Sequence, residues 1–155
     1  MEHWAAFERS FERLVDLLRA ASRGFVGEAP ATITILSGDV HTTYVAEIDL
    51  GAGAGPSRIH QVVCSPFRNP LEPRERRVVQ LAGSRIAATV FAILARACGV
   101  PAPTATWRFL SPRTFDNSIG ELSLDDRSAN IKLFRSTQDA DGDLIKAYSL
   151  ELARQ

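Results

Sequence analysis

The sequence predicts an α/β (α+β) chain of mixed and antiparallel strands with two main helices, and three observations carry that reading. An amphipathic helical repeat opens the chain. A short β-branched run bounded by proline and glycine follows it. After a second helical stretch, the apolar residues change to period two and keep it nearly to the C-terminus.

In the opening repeat, Trp4, Phe7, Phe11, Leu14, Val15 and Leu18 recur at helical spacing, with Glu8, Arg9, Glu12, Arg13, Asp16 and Arg19 on the other face. Gly24 is the natural stop. Thr32-Ile33-Thr34-Ile35-Leu36, between Pro30 and Gly38, suits a buried strand. A second strand is predicted over 43–50 and a third over 59–64, separated by the glycine-rich loop 51–57. Three prolines make residues 65–73 irregular. Residues 75–98 read as one helix ended by Gly99-Val100-Pro101, and over 87–95 its apolar character runs nearly all the way round, which predicts burial on several sides. Trp107 and Phe109, then 119–124, 131–134, and Tyr148, Leu150 and Leu152 predict four antiparallel strands, with turn chemistry at 125–127 and 139–143.

Composition narrows the function. Of 155 residues, 45% are hydrophobic and 23% charged, which suits one folded domain able to bury a core without staples. The 18 acidic and 18 basic side chains balance, which argues against a nucleic-acid binder because phosphate-backbone affinity needs clustered Lys and Arg. Cys64 and Cys98 are far apart and read as reduced thiols. The N-terminal residues lack the basic and apolar pattern of a signal peptide, and the longest apolar-rich stretch, 87–95, falls short of a membrane span, so a cytoplasmic protein is expected.

The sharpest chemical signal is Leu36-Ser37-Gly38-Asp39-Val40-His41, a carboxylate and an imidazole two residues apart just past a predicted strand. Gly38 allows close backbone approach or an unusual dihedral, Asp39 offers a hard oxygen donor, and His41 offers a borderline nitrogen. Together they suit Mn, Fe, Zn or a similar divalent ion, while a tight turn with a hydrogen-bonded histidine is the plain structural alternative.

The run Thr34 to His41 with Tyr44 after it, and then Val62-Val63-Cys64-Ser65-Pro66-Phe67-Arg68-Asn69-Pro70-Leu71, resembles the C-terminal signature of alkaline phosphatase D-like proteins. The opening helix and Phe115-Asp116-Asn117 also fit that family, so the resemblance extends over nearly the whole chain. It implies the calcineurin-like metallophosphoesterase fold, two packed mixed sheets flanked by helices around a dinuclear site. Asp39 stands where the wider superfamily has the first His of Gly-His-x-His, as in the D-type pattern. The resemblance implies that Asp39 and His41 are catalytic and face metal ions (Mn, Fe, Zn or Ca), which activate water and clamp the oxygens of an in-line displacement.

The family's other ligand segments, of the Gly-Asp-x-x-Tyr and Asp-Asp-His types, do not occur: Gly142-Asp143 lies in a predicted turn and Asp125-Asp126 is followed by Arg127. The chain therefore reads as the C-terminal portion of a metallophosphoesterase sandwich, a fragment inactive alone, whose apolar stretch near Phe91 and Thr32 strand lack part of their cover. Self-association or a separate N-terminal partner chain is expected. The rival reading is a non-catalytic binding or assembly module derived from such an enzyme, and a third is a mononuclear hydrolase completed across a dimer interface.

Several other residues admit two readings. Arg68 and Asn69 suit substrate binding, because a guanidinium presents a planar fork to phosphate, and they equally suit loop bracing. His60 reads as a structural or surface histidine ahead of a ligand, and His3 as solvated. Ser65 lacks a triad pattern. The acidic run from Asp139 has Leu150 where a calcium loop needs glutamate, so a hairpin turn is favoured. Trp107 and Phe109 are expected in the core.

Overall fold

The computed structural model describes residues 8–25, 27–39, 41–65, 73–82, 84–137 and 142–153. Its first helix, α1 (Glu8–Ser22), buries Val15 and Leu18, with Phe11 and Leu14 partly covered beside them. It ends as a glycine-terminated helix does: Gly24 has φ +73°, Gly24 N donates to Ala21 O at 3.0 Å and Phe25 N donates to Ala20 O at 3.1 Å. Strand β1 (Thr32–Ser37) is followed by β2 (Tyr44–Asp49) and β3 (Arg58–Val63). The glycine-rich loop between β2 and β3 is pinned to the end of α1 by Gly55 N donating to Ser22 Oγ at 2.9 Å and Arg23 Nε donating to Gly53 O at 2.6 Å. A Cβ at Gly55 would sit 1.9 Å from Ser22 O, so only glycine permits this approach.

The expected single helix is two. Helix α2 (Pro73–Ala82) stops and α3 (Arg85–Ala97) restarts, with Ser84 as N-cap accepting from Ala87 N at 3.2 Å. A Ser that satisfies an orphan amide competes with continuing the helix. Helix α3 ends at Gly99, φ +73°, with Val100 N donating to Ala95 O at 2.9 Å. The expected burial of this helix is not found: Phe91 is 64% exposed and Ile93 62%, and Ile86, Val90 and Leu94 are exposed as well. Its apolar periphery fits burial, but no other element of the described chain is placed to cover it.

The four expected C-terminal strands are present as β4 (Thr106–Phe109), β5 (Ser118–Asp125), β6 (Ser128–Ser136) and β7 (Leu144–Ala153). They divide between two sheets. Strand β4 pairs antiparallel with β2 and completes a mixed sheet of order β1-β3-β2-β4, in which β1 runs parallel to β3, while β5-β6-β7 form an antiparallel sheet. The β5–β6 turn places Asp126 at φ +48°. Two expectations fail at the mixed sheet's edges: β1 is an edge strand, half-buried with Leu36 exposed, and Trp107 and Phe109 on the other edge are 55% and 44% exposed, not core residues. An edge strand has one neighbour, so period-two patterning alone does not guarantee cover.

Alternation along the mixed sheet sorts its two faces. Ile33, Ile35, Ile48 and Ile59 pack with Val15 and Leu18 of α1, and Leu50 and Ala105 fill the same cluster. Val45 and Val62 point the other way and form a core with Ala129, Ile131, Leu133, Leu152 and Ala153, which joins the two sheets. Tyr148 Oη donates to Leu110 O at 2.8 Å across this junction. Among the described residues the architecture is therefore mixed α+β, with two sheets and three helices. Among the described residues no helix is long and apolar enough to cross a membrane. Cys64 and Cys98 are free thiols, as the sequence suggested.

Candidate functional site

Residues 38–43 connect β1 to β2, and because β3 lies between those strands the connection must pass over the end of β3. Such a crossover, outside the carboxyl ends of two parallel strands, is where open sheets leave a crevice. Cys64 N donates to Ser37 O at 3.2 Å and Ser65 N donates to Thr43 Oγ1 at 3.0 Å, so the continuation of β3 is sewn to both ends of the turn. Thr43 Oγ1 also donates to Ser65 O. Asp39 and His41 sit half-buried within this turn, and the Thr42 hydroxyl donates to Asp39 Oδ2. Gly38 is exposed, has no positive φ, and a Cβ added to it would meet nothing within 4 Å among the described residues. Among the described residues, neither of the usual demands, dihedral or packing, calls for a glycine there.

Beside the turn the structure gathers an aromatic and cationic group that sequence reading missed. Tyr44, the first residue of β2, meets Phe109 of β4 edge-on, with ring centroids 5.0 Å apart and planes at 82°. The Arg113 guanidinium lies over the Phe109 ring, 5.1 Å from its centroid. Burial pushes the Tyr44 phenol above its ordinary value, the Asp39 carboxylate adds to that rise, and the Arg113 charge opposes it. Asp39 and Arg113 are thus each within electrostatic reach of Tyr44. The segment carrying Arg113 is fastened to β2: Leu110 N donates to Val45 O at 2.8 Å, Val45 N donates to Ser111 Oγ at 2.8 Å, and Thr43 and Thr114 bond each other's backbone.

The remaining nucleophile and ligand candidates separate from this group or stay outside it. Burial pushes the Cys64 thiol up, against a smaller opposite pull from the Thr43 hydroxyl, so it is protonated and a poor nucleophile near neutrality. His60 is fully buried in the body of β3, where its Cα pairs with Thr34 rather than with the turn. Its Nδ1 is 3.1 Å from Thr32 Oγ1, and since that hydroxyl donates to Arg58 O at 3.0 Å, Nδ1 carries the proton. Nε2 has no partner. Burial, then the Arg58 charge, pulls the His60 pKa down against Glu47, so the ring is neutral and structural. Arg68 and Asn69 lie outside the described residues.

Phe115-Asp116-Asn117 turns out to be a bracing element. Asp116 accepts from Arg76 of α2 at 2.9 Å and from Arg135 of β6 at 3.3 Å, tying a helix and the second sheet to the segment before β5. Among the described residues no group of three or more His, Cys, Asp or Glu side chains could hold an ion. Asp39 and His41 are donors of a suitable kind, a carboxylate and an imidazole, but two fall short of the four to six each ion requires, roughly. The chain matches no protein-family model, no curated protein and no solved structure.

Proposed function

We propose that the chain is part of a metal-dependent phosphoric ester hydrolase of the alkaline phosphatase D-like type, to which Gly38, Asp39, Val40 and His41 contribute one wall of a dinuclear metal site. The observation that carries this reading is the crossover turn itself, where Asp39 and His41 flank a single residue next to a glycine that the fold does not otherwise need. A carboxylate–imidazole pair suits Mn, Fe, Zn or Ca, and the bound ions would supply a water of lowered pKa and charge to oppose that of the phosphate. This chain's own part is to hold the donors: the Thr42 hydroxyl steadies Asp39, and the bonds of Thr43 to Ser65 fix the turn on β3. The other ligands belong to another segment or another chain, so the isolated polypeptide is expected to be inactive.

The test is hydrolysis of a generic phosphomonoester and a phosphodiester by the purified chain with Mn, Fe, Zn, Mg or Ca, with His41→Ala as the control. Absence of turnover in the chain alone, with turnover restored by a polypeptide carrying the missing ligand segments and lost again in His41→Ala, supports the reading. Restored turnover that His41→Ala leaves untouched removes His41 from the site.

A non-catalytic binding or assembly module is the second reading, and the exposed apolar surface of α3 favours it. Such a surface is expected to bind a second copy or a separate subunit, and that association need not involve Asp39 or His41.

A further inference from the structure

We infer that the free edge of β5 is a self-association surface, and that its occupant is β5 of a second copy of this chain, added antiparallel about a two-fold axis at Leu122. The inference is independent of the metal-site reading. It starts from the backbone. Ser136 N donates to Asn117 O at 2.8 Å, and these two residues lie opposite each other one step beyond the Ser118–Arg135 pair. Hydrogen-bonded and non-hydrogen-bonded pairs alternate along an antiparallel ladder. Ile119, Glu121, Ser123 and Asp125 therefore turn their N–H and C=O groups to β6, while Gly120, Leu122 and Leu124 turn theirs outward. Among the described residues, none of 119–125 bonds its backbone to anything outside that ladder.

Exposed strand edges are normally blunted by brevity, bulges, proline or lysine. Strand β4 has four residues, and β7 is bulged, with register shifts at Ala129/Asn130 and Leu133/Phe134 of its partner β6. Strand β5 has none of these devices: its eight residues pair with β6 without a shift and include no proline or lysine. Its Glu121 is engaged by Lys132 at 2.7 Å. Leu124 is 72% exposed and Ile119 44%.

The edge fits itself in one register. With the axis at Leu122, that residue faces its own copy, Gly120 faces Leu124 and Glu121 faces Ser123, each pair crossing between copies. The three outward residues then make about six hydrogen bonds. Leu124, uncovered in the single chain, comes to lie beside a glycine that leaves it room. Gly120 has no positive φ, and a Cβ there would meet Cys64 Sγ and Leu133 Cδ2 at 3.5 Å, which is ordinary contact, so nothing among the described residues demands a glycine. Moving the axis to Glu121 sets that carboxylate opposite itself, and moving it to Ser123 sets it opposite Asp125. Like charges directly opposite are destabilising, so charge selects the Leu122 axis. Eight residues per copy fall short of the roughly 20–30 a side of a stable interface, and the pairing is accordingly weak and reversible.

The experiment is disulfide crosslinking of the full chain in a Cys98→Ser, Phe91→Glu, Ile93→Lys background, which removes the exposed thiol and blocks association through α3. One protein carries Glu121→Cys and a second, isotope-labelled, carries Ser123→Cys, both at exposed positions of β5. Mild oxidation of the mixture should give about five-fold more crosslink between the two proteins than either gives with itself. Ile119→Cys mixed with Ser123→Cys is the out-of-register control and should give no such excess. In sedimentation equilibrium of the background without added cysteines, Ser123→Lys meets Glu121 of the other copy twice and should tighten pairing by about three-fold, while Ser123→Glu should loosen it by as much. Unfolding midpoints close to that of the background report an intact fold in each variant. The inference is overturned if the mixture gives no excess, if the control crosslinks as well, or if the two Ser123 variants move association in the same direction. A background that stays monomeric at every concentration also overturns it, and leaves the edge to a different polypeptide. No variant alters Asp39 or His41, so the fate of the metal site is decided separately, by its own assay.

Discussion

Thr43 and Thr114 exchange two backbone hydrogen bonds, Thr43 N to Thr114 O at 2.9 Å and Thr114 N to Thr43 O at 3.0 Å, outside any named strand. This isolated pair locks the turn that bears Asp39 and His41 to the segment that bears Arg113. Thr43 also uses its hydroxyl, which accepts from Ser65 N and donates to Ser65 O, so one buried residue holds three stretches of chain. Thr43→Val keeps the shape and β-branching but leaves both Ser65 groups without that partner. The expected cost is about 1–3 kcal/mol. Urea unfolding should show the midpoint falling with an unchanged slope, and an unchanged midpoint would mean that water replaces the hydroxyl without penalty.

Tyr44 reports the electrostatics of the site directly. Its folded pKa lies above the ordinary value of 10.0, first through burial and then through Asp39, with Arg113 pulling the other way. Asp39→Asn should therefore lower the Tyr44 titration midpoint and Arg113→Met should raise it. Because the folded value is the higher one, the stability this phenol contributes is present below pH 10 and is lost as pH rises through the folded value. Tyrosine Cζ chemical shifts measured against pH distinguish Tyr44 from Tyr148, and equal midpoints in all three proteins would place neither charge near the ring.

His60 is expected to make the fold acid-sensitive. A second proton on the ring would go to Nε2, a buried atom with no partner among the described residues, and burial heads the causes of its lowered pKa. With the folded value below 6.5, the unfolded chain binds the proton first as pH drops, so stability present above that value is lost as pH falls through the folded pKa. His60→Leu should flatten this dependence while leaving Thr32 Oγ1 its bond to Arg58 O. Melting temperature followed from pH 7.5 to 4.5, in units of the ordinary scan, checks it: parallel curves for wild type and variant would exclude His60 as the sensor.

Helix α3 predicts association. Phe91 and Ile93 are both more than half exposed on a helix that also offers Val90 and Leu94 to solvent. Sedimentation velocity should show mass rising with concentration in wild type and falling toward the monomer in a Phe91→Glu, Ile93→Lys double variant. Those side chains bury little within the chain, so the unfolding free energy at low concentration should move by no more than about 0.5 kcal/mol. A strictly monomeric wild type at all concentrations would leave the apolar helix to a different partner.

Local pattern determined the element types. The amphipathic repeat of α1, the glycine stops at Gly24 and Gly99, the β-branched runs of β1 to β3 and the period-two strands after Pro103 are all short-range consequences of side-chain spacing and backbone dihedral preference. The Asp39–His41 pair was legible for the same reason, being two residues apart in one turn. What the sequence could not determine were relations that depend on how far strands and helices lie from each other once packed. Ser84 splits the second helix because capping there competes with continuation, and only the packed chain decides between them. Trp107, Phe109 and the α3 side chains have core-like patterns but lie where no further layer covers them, since cover depends on the neighbouring element and not on periodicity. Arg113 comes within electrostatic reach of Tyr44 only because β4 returns beside β2, a pairing between distant segments that no local signal records.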